Sequence, residues 1–344
     1  MSAVQAELSR RAGVLEVPLG SAFVGGGTPT ILPEDTLRQL VTAIGRRCDA
    51  RTEFTVEANP NSLTPSVLAI LRQAGVNRLS IGVQSFLANE LHTLGRLHNP
   101  QEARLAVESA QLAGLDNLSL DLIYGIPGQT LDSWRQSLQA AIDCPISHLS
   151  CYCLSFEPGT PLAADLAEGK VQAMDESLQR ECYYQAIELL EQAGLKQYEI
   201  SNFARPGRQC RHNLVYWHNQ SYLGVGPSAV SYVAGQRLAN TADLDDYLAR
   251  IAAGGDAVIS SESLVGRPLM AETLMLMLRL RDGVDRAAFA HRFGQDPVEA
   301  FKTPILRYFN IGMLHITPER VFLPPQALFV ADTILADILA DSDR

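Results

Sequence analysis

The stretch SAFVGGGTPT, residues 21–30, joins four residues of strand-like character to three glycines and a Thr-Pro pair. The loop matches neither the G-x-G-x-x-G dinucleotide fingerprint nor a Walker phosphate loop, because no Gly-Lys-Ser/Thr follows the glycines. Taken alone, it fits two interpretations. It is a tight turn that needs a positive φ angle, or it is a bare backbone that a ligand approaches closely.

Strand and helix patterns alternate around this stretch, from residue 20 to residue 156. Strands are predicted at 21–25, 53–58, 78–83, 117–125 and 148–156. Amphipathic helix patterns lie between them, and the first begins with Pro33 followed by two acids, as helices often do. This alternation predicts parallel strands joined by right-handed crossovers.

Polar residues and glycines gather at the C-terminal ends of the predicted strands. They are Gly25 to Thr28, Glu57 and Asn59, Gln84, Asp121 and Gly125, and Ser155 and Glu157. In a parallel α/β barrel these ends meet at the active-site face, whereas a doubly wound sheet gathers its ligand contacts at one switch point. Contributions from five successive strands therefore favour a barrel or a partial barrel.

The pattern changes after residue 165. One amphipathic helix is predicted at 175–194, then a strand and turn, and then a segment rich in aromatics, Asn, His and Gly with little helical periodicity. Helices followed by two short β segments and a last helix favour a winged-helix-like module at the C-terminus. We therefore divide the chain into a partial barrel (1–165), a barrel-associated extension (166–260) and a C-terminal winged-helix-like domain (261–344).

Composition argues against several classes of protein. The 344 residues include 28 basic and 38 acidic side chains, and the net charge of −10 argues against non-specific nucleic-acid binding. No run of about 20 apolar residues predicts a membrane span, and the N-terminus lacks the apolar core of a signal peptide. The six scattered cysteines favour reduced thiols in a cytoplasmic protein.

Eight segments, in order, resemble those of the radical S-adenosylmethionine (SAM) enzymes. They are FVGGGTPTIL, TVEANPNSLT, RLSIGVQSF, LGRLHN, LDLIYGIPGQT, EISNFARPG, CRHNLVYW and YLGVGPSAVSY. More narrowly, the chain is similar to the branch that contains oxygen-independent coproporphyrinogen III oxidase and the HemW-type heme chaperones. The H-N-x-x-Y-W segment fits the HemW-type proteins better. The resemblance implies a TIM-barrel-like fold and a role in heme or porphyrin metabolism.

The resemblance also implies seven SAM-binding positions. They are Gly26, Gly27, Thr28, Glu57, Gln84, Arg96 and Asp121. Exposed backbone groups of the glycine loop suit the ammonium and carboxylate of SAM, a carboxylate suits a ribose hydroxyl or an ammonium, and a guanidinium suits the methionyl carboxylate. Without the resemblance, each polar side chain has a plainer interpretation: a solvated charge, a hydrogen bond at the barrel mouth, a charge on a surface helix or a loop cap.

The H-N-x-x-Y-W segment, residues 212–217, has no metal-ligand spacing of its own. His212 and His218 are six residues apart, which is neither a zinc pair nor an H-E-x-x-H motif. One interpretation is a packed aromatic corner with satisfied polar tips. The other, which the resemblance favours, is involvement with a tetrapyrrole, where His212 would be an axial or orienting group.

Radical SAM proteins also hold a [4Fe-4S] cluster on three cysteines in a short Cys-x3-Cys-x2-Cys loop. In HemW-like chains that loop precedes a helix leading into the GGGTP strand, and VQAELSRR has the composition of such a helix. No cysteine precedes Cys48, and no three cysteines have the required spacing. Two interpretations follow: a shortened version of a longer protein, or a natural product that has lost the cluster. The intact SAM motifs favour the first. With either, the barrel lacks its first strand and the chain makes no deoxyadenosyl radical.

Three functions follow as hypotheses. The first is a radical SAM protein of porphyrin metabolism, in which coproporphyrinogen III would be dehydrogenated by the longer form. The second is a heme chaperone that binds SAM and heme and passes heme to apoproteins, which the H-N-x-x-Y-W segment favours. The third is a generic nucleotide-binding barrel, which predicts tight ATP binding. None requires nucleic acid or stable membrane insertion.

Overall fold

The structure, a computed structural model, describes residues 1–15 and 17–341, so residues 342–344 of the predicted C-terminal domain lie outside it. The helices are α1 Ser2–Arg11, α2 Glu34–Gly45, α3 Pro65–Gln73, α4 Ala88–Thr93, α5 Pro100–Leu112, α6 Leu131–Ile142, α7 Pro161–Ala167, α8 Glu176–Gln192, α9 Arg211–Trp217, α10 Leu244–Ala252, α11 Arg267–Met277, α12 Arg286–Phe293, α13 Pro297–Ala300, α14 Lys302–Asn310 and α15 Ala331–Ala340. The strands are β1 Ser21–Val24, β2 Glu53–Ala58, β3 Arg78–Gln84, β4 Asn117–Tyr124, β5 His148–Cys153, β6 Lys196–Gln197, β7 Asn202–Ala204, β8 Val230–Val233, β9 Gln236–Asn240, β10 Val258–Ser263, β11 Val284–Asp285, β12 His315–Ile316 and β13 Arg320–Phe322.

The chain divides into two compact units. One comprises residues 20–209, and the other combines residues 1–19 with the chain from Cys210 onward. The predicted boundaries at 165/166 and 260/261 do not coincide with this division. The reason is that β7 pairs antiparallel with β5 and β6 pairs with β7, which keeps residues 166–209 with the first unit.

The first unit is built on a seven-stranded sheet whose order is β1-β2-β3-β4-β5-β7-β6. The strands β1 to β5 are parallel and follow one another in chain order, as the five strand predictions require. Within β1 to β5, all of which the structure describes, the order does not reverse, so these parallel strands have no switch point of the doubly wound kind. Among the described residues β1 and β6 do not pair with each other, so the sheet is open, as in a partial barrel. That a further strand precedes β1 in a longer protein stays a prediction.

One face of this sheet is apolar and carries the core. On β3 the side chains of Leu79, Ile81 and Val83 are fully buried, and so are those of the alternate residues Leu118 and Leu120 on β4. Successive strand residues point to opposite faces, so these positions share one side of the sheet. The helices cover that side, which explains their amphipathic patterns.

Helices α6 and α8 pack through a fully buried tryptophan. Trp134 has no exposed surface, and its indole Nε1–H donates to the carbonyl oxygen of Cys182 at 2.9 Å. The bond satisfies the one polar atom of a large apolar side chain, which otherwise would be costly to bury. The Thr130 hydroxyl accepts from the backbone N–H of Ser133 and caps α6 at the turn that follows β4.

The opposite face of the sheet is polar. The hydroxyl of Ser80 on β3 lies 3.3 Å from both carboxylate oxygens of Asp121 on β4. Two residues before Asp121 on β4, the Ser119 hydroxyl lies 2.8 Å from Nδ1 of His148 on β5. We call this side of β2 to β5 the inner face. It is the side on which the predicted site residues Glu57 and Asp121 lie.

In the second unit, helix α1 is fixed by a buried carboxylate. Glu7 is 1% exposed and accepts hydrogen bonds from the Tyr247 hydroxyl at 2.7 Å, from Asn240 Nδ2 at 2.7 Å and from the Gly226 N–H at 2.9 Å. Arg11, one turn further along α1, adds an ion pair at 3.4 Å. A buried charge is tolerated when it is paired and hydrogen-bonded in this way.

The C-terminal hairpin and the aromatic segment of the second unit were both subjects of a prediction. The predicted C-terminal hairpin is confirmed, since β12 pairs with β13, and β11 adds a third antiparallel strand. The aromatic segment, for which little helical periodicity was expected, forms the helix α9 and then the hairpin β8–β9. Seven residues are too few for a periodic pattern to be visible. No helix in residues 1–15 and 17–341 is both long and apolar enough to cross a membrane.

Candidate functional site

The glycine loop after β1 is held against the end of β2. The backbone N–H of Gly26, a residue with φ of 85°, donates to Glu57 Oε2 at 3.1 Å. A Cβ atom on Gly25 would lie 2.6 Å from the Glu57 carboxyl group, which explains why a glycine stands there. Gly27 is exposed and has open space around it. The loop therefore presents backbone groups to solvent beside a carboxylate.

The same loop is tied to the turn that follows β2. Asn59 Nδ2 donates to the Thr28 hydroxyl at 3.0 Å, and the hydroxyls of Thr30 and Ser62 meet at 2.6 Å. The Asn59 backbone N–H also donates to the Ser62 hydroxyl at 3.2 Å, in the short 3-10 turn that follows. These bonds give the loop a defined position relative to the strand ends.

Two acids share this end of the inner face. Burial raises the pKa of Glu57, the Gly26 N–H lowers it, and the charge of Asp121 raises it again. Burial likewise raises the pKa of Asp121, against which act hydrogen bonds from Ser150 and Ser80 and the charge of Arg78. The sequence predicted that Asp121 ends its strand. In the structure Asp121 lies inside β4. It is therefore not a loop cap.

Gln84 occupies the end of β3 in an unusual backbone conformation. Its φ is 68°, which is uncommon for a residue other than glycine, and the pairing of β3 with β4 shifts register between Gly82 and Gln84. A Cβ on Gly82 would lie 2.9 Å from Gln84 Nε2 and 3.4 Å from Asn59 Oδ1. The amide of Gln84 thus lies over Gly82 on the side of Asn59, at the same end of the sheet.

Arg96 is attached to the sheet indirectly. It is half-buried, and burial lowers its pKa. Two residues further on, the buried His98 contacts the Val83 carbonyl oxygen through Nε2 at 2.9 Å. Burial lowers the pKa of His98, so the neutral imidazole is favoured and Nε2–H donates. The contact brings the Arg96 segment to the end of β3 without a bond from Arg96 to the other predicted residues.

Replacement of His98 by alanine should remove one of two bonds to the Val83 carbonyl, which keeps the Ser85 N–H at 2.9 Å, and should cost about 1 kcal/mol in the free energy of unfolding. Replacement of His92, an exposed histidine on α4, should change it by less than about 0.5 kcal/mol. Urea unfolding of both variants measures the difference. Equal effects would show that His98 does not anchor this segment.

A second network lies behind the strand ends, and nothing in the sequence indicated it. The buried Glu90 accepts from the hydroxyls of Ser85 at 2.6 Å and Ser133 at 2.7 Å and from Gln129 Nε2 at 3.1 Å. Gln129 in turn accepts from the Gly125 N–H at 2.9 Å. The network joins the segments that follow β3 and β4, and so it supports the geometry of the site.

Comparison with known proteins identifies the class. Residues 4–141 match the radical SAM superfamily, and residues 267–330 match the HemN C-terminal domain. The coproporphyrinogen III oxidase HemN from Escherichia coli superposes with a TM-score of 0.82 at 21% identity, over 98% of this chain and 82% of that one. The fold is therefore that of a radical SAM protein, and the HemN-like C-terminal domain is present.

Sequence relatives define the family more narrowly. The heme chaperone HemW of Bacillus subtilis is 34% identical over 326 residues, which are 94% of this chain and 86% of the relative. The heme chaperone HemW of Mycobacterium tuberculosis is 34% identical over 340 residues, 98% of this chain and 85% of the relative. The chain belongs to the HemW family.

The family implies SAM and a [4Fe-4S] cluster, and the residues fit the first of these. The exposed loop at Gly26 and Gly27, the carboxylates of Glu57 and Asp121 and the amide of Gln84 lie at one end of the sheet. This donor set suits a ligand that carries a sulfonium, an ammonium, a carboxylate and ribose hydroxyls. SAM carries all of these groups, and the residues at this end of the sheet would bind and orient it.

The cysteines of this chain do not fit the cluster. All six are free, and in residues 1–15 and 17–341 no group of three or more His, Cys, Asp or Glu side chains could hold a metal ion. Burial raises the pKa of the Cys182 thiol to about 11 and that of Cys151 further, so both are neutral thiols near pH 7.

Proposed function

We propose that this protein is a heme chaperone that binds SAM at the ends of β1 to β4 and binds heme through the segment around α9. The observation that carries the SAM site is the bond from the Gly26 N–H to Glu57, beside the second acid Asp121. Gly26, Gly27, Thr28, Glu57, Gln84, Arg96 and Asp121 are the SAM-binding residues in this proposal. The names of the HemW relatives support the chaperone role.

The α9 segment has side chains suited to a flat aromatic ligand. His212 Nε2 and the Tyr216 hydroxyl lie 2.9 Å apart, and their rings meet edge to face at 5.1 Å. Tyr216 meets Tyr222 in the same manner at 4.6 Å. The indole Nε1 of Trp217 is buried and has no hydrogen-bond partner among the described residues. An imidazole beside aromatic rings that pack edge to face is a suitable environment for a porphyrin.

Titration of the purified protein with hemin, followed by visible absorption, tests the heme part. His212→Ala should weaken binding about tenfold if the imidazole contributes about 1.4 kcal/mol. His315→Ala, a change of an exposed histidine on β12 that packs against Phe322, is the control and should leave the affinity unchanged. Equal affinity of the wild type and the His212 variant would remove His212 from the site.

The alternative is dehydrogenation of coproporphyrinogen III, the reaction of the enzyme named in the structural comparison. An assay that follows coproporphyrinogen III consumption beside hemin binding separates the two. Stoichiometric heme binding with transfer of the heme to an apoprotein supports the chaperone. Turnover of coproporphyrinogen III would favour the oxidase instead.

A further inference from the structure

Gln84 lies at the centre of a strained turn. The Ser85 N–H donates to the Val83 carbonyl oxygen at 2.9 Å across Gln84, whose φ is 68°. A three-residue turn with a positive φ at its centre is rare, and a residue other than glycine keeps this conformation only where its surroundings hold it. The turn at Gln84 therefore depends on contacts from outside its own strand.

The turn determines where the Gln84 amide lies. It coincides with a shift of register between β3 and β4 that leaves Gly82 opposite Asp121. Irregularities of this kind redirect a side chain and are common beside functional sites. A Cβ on Gly82 would lie 2.9 Å from Gln84 Nε2, so the amide lies over the residue that pairs with Asp121. A different backbone conformation at Gln84 would move the amide away from this position.

A buried network of hydrogen bonds begins at the next residue. Ser85 is fully buried, and its hydroxyl donates to Glu90 Oε2 at 2.6 Å and accepts from the Leu87 N–H at 3.0 Å. Glu90 Oε1 accepts from the Ser133 hydroxyl at 2.7 Å, and Oε2 also accepts from Gln129 Nε2 at 3.1 Å. Glu90 is 1% exposed, and both of its carboxylate oxygens have donors. Through Glu90, Ser85 is fixed to α6 and to the turn before it.

Helix α6 holds the same segment at a second point. The Ser137 hydroxyl accepts from the Phe86 N–H at 3.2 Å and lies 3.2 Å from the Ser85 hydroxyl. Because Ser85 directs its one hydroxyl proton at Glu90, Ser137 is the donor in this second contact. The segment after Gln84 is thus attached to the helix that follows β4, and these contacts can hold a turn that its own strand would not favour.

We propose that Glu90 is a positioning residue for the strand-end site. Through Ser85 it holds the positive-φ turn at Gln84, and so it directs the Gln84 amide toward bound SAM without contacting the cofactor. The inference rests on the proposed SAM site. An amide offers both donors and an acceptor, and such a group strengthens binding only when neighbouring contacts fix its orientation.

Calorimetry of SAM binding to the purified protein tests the inference. Ser85→Ala breaks the link to the turn, and Glu90→Met removes the acceptor at a similar side-chain size. Each should weaken binding about tenfold, the worth of one well-placed hydrogen bond. Glu90→Gln keeps an oxygen toward Ser85 while the Ser133 hydroxyl turns to accept from the new amide, so it should lose less than about threefold. Glu108→Met, at an exposed position of α5, is the control and should bind as the wild type does.

A double-mutant cycle separates positioning from packing. Gln84→Ala removes the amide that Glu90 directs, so the further change Glu90→Met should alter the affinity of that variant by less than about twofold. A loss that is equal in the wild-type and Gln84→Ala backgrounds would overturn the inference, since it would reflect packing alone. Binding by Glu90→Gln as weak as that by Glu90→Met would also overturn it, because an acceptor for Ser85 would then be without effect.

A second measurement does not depend on SAM. Crystal structures of the wild type and of Glu90→Met report the backbone conformation at Gln84. The inference predicts a positive φ in the wild type, and in the variant a negative φ with the amide turned away from Gly82. An unchanged turn in the variant would overturn the inference. A wild type that binds no SAM would refute the proposed function, and the two crystal structures would still decide whether Glu90 holds the turn.

Discussion

Gly25→Ala is expected to lower the affinity for SAM about thirtyfold to a hundredfold, since a displaced charge-assisted contact is worth about 2–3 kcal/mol. The added Cβ would lie 2.6 Å from the carboxyl group of Glu57 and 2.7 Å from the ring of Phe23. Both are the ends of side chains that can turn away, so we expect a loss of only about 1 kcal/mol in stability. The main effect of the substitution would be to turn the Glu57 carboxylate away from the Gly26 N–H.

Gly27→Ala is the matched control. No atom lies within 4 Å of a Cβ at this position, so the stability should change by less than about 0.5 kcal/mol and Glu57 should stay in place. A moderate loss of affinity there would measure how closely SAM approaches the backbone. Calorimetry and urea unfolding of both variants give the comparison. Wild-type affinity in Gly25→Ala would contradict the role given to Glu57.

Glu57→Gln should weaken SAM binding by about a hundredfold at pH 8, because it removes a partly buried carboxylate next to a cationic ligand. The change keeps the size of the side chain and its contact with the Gly26 N–H, so the effect isolates the charge. Glu157→Gln, at an exposed position after β5, should leave the affinity unchanged. Equal binding by both variants would rule out Glu57 as a ligand of the cation.

The same carboxylate gives a pH dependence with a defined sign. Burial raises the pKa of Glu57 in the folded protein above its ordinary value. Wild-type affinity for SAM should therefore fall as the pH falls through this raised pKa, and Glu57→Gln should lose that part of the profile. The stability changes in the other direction. The folded state binds the proton more tightly than the unfolded chain, so this group's stabilising contribution is lost as the pH rises through the folded-state pKa.

Much of the first unit follows from local patterns. The five predicted strands appear within a few residues of their expected bounds, because apolar runs that end in glycine or polar residues are typical of buried parallel strands. Their chain order in the sheet follows from the alternation with helices. The position of Glu57 near the end of β2 also follows, whereas Asp121 lies inside β4 and its place does not follow from the rule that parallel strands end at one side of the sheet.

The inner face shows what the sequence analysis overlooked. Arg78, Ser80 and Gly82 alternate with Leu79 and Ile81 along β3, and this period of two predicts a strand with one polar face. The polar face of β3 is therefore visible in the sequence alone. The bond from His98 to the Val83 carbonyl had no such signal, because a histidine in a loop does not indicate which carbonyl it will reach.

The division into two units depends on long-range contacts. Glu7 finds its donors at Gly226, Asn240 and Tyr247, more than 200 residues further along the chain. No local pattern in residues 1–19 indicates these partners. Likewise, only the pairing of β7 with β5 shows that residues 166–209 belong with the sheet. The domain boundaries were therefore beyond the reach of periodicity and composition.

The most direct test of the account is equilibrium binding of SAM to the purified protein, with ATP as a competitor and with Glu57→Gln measured in parallel. The account predicts saturable binding of one SAM per chain, weakened about a hundredfold by the substitution and unaffected by ATP. Preferential binding of ATP, or undiminished binding of SAM by Glu57→Gln, would contradict it.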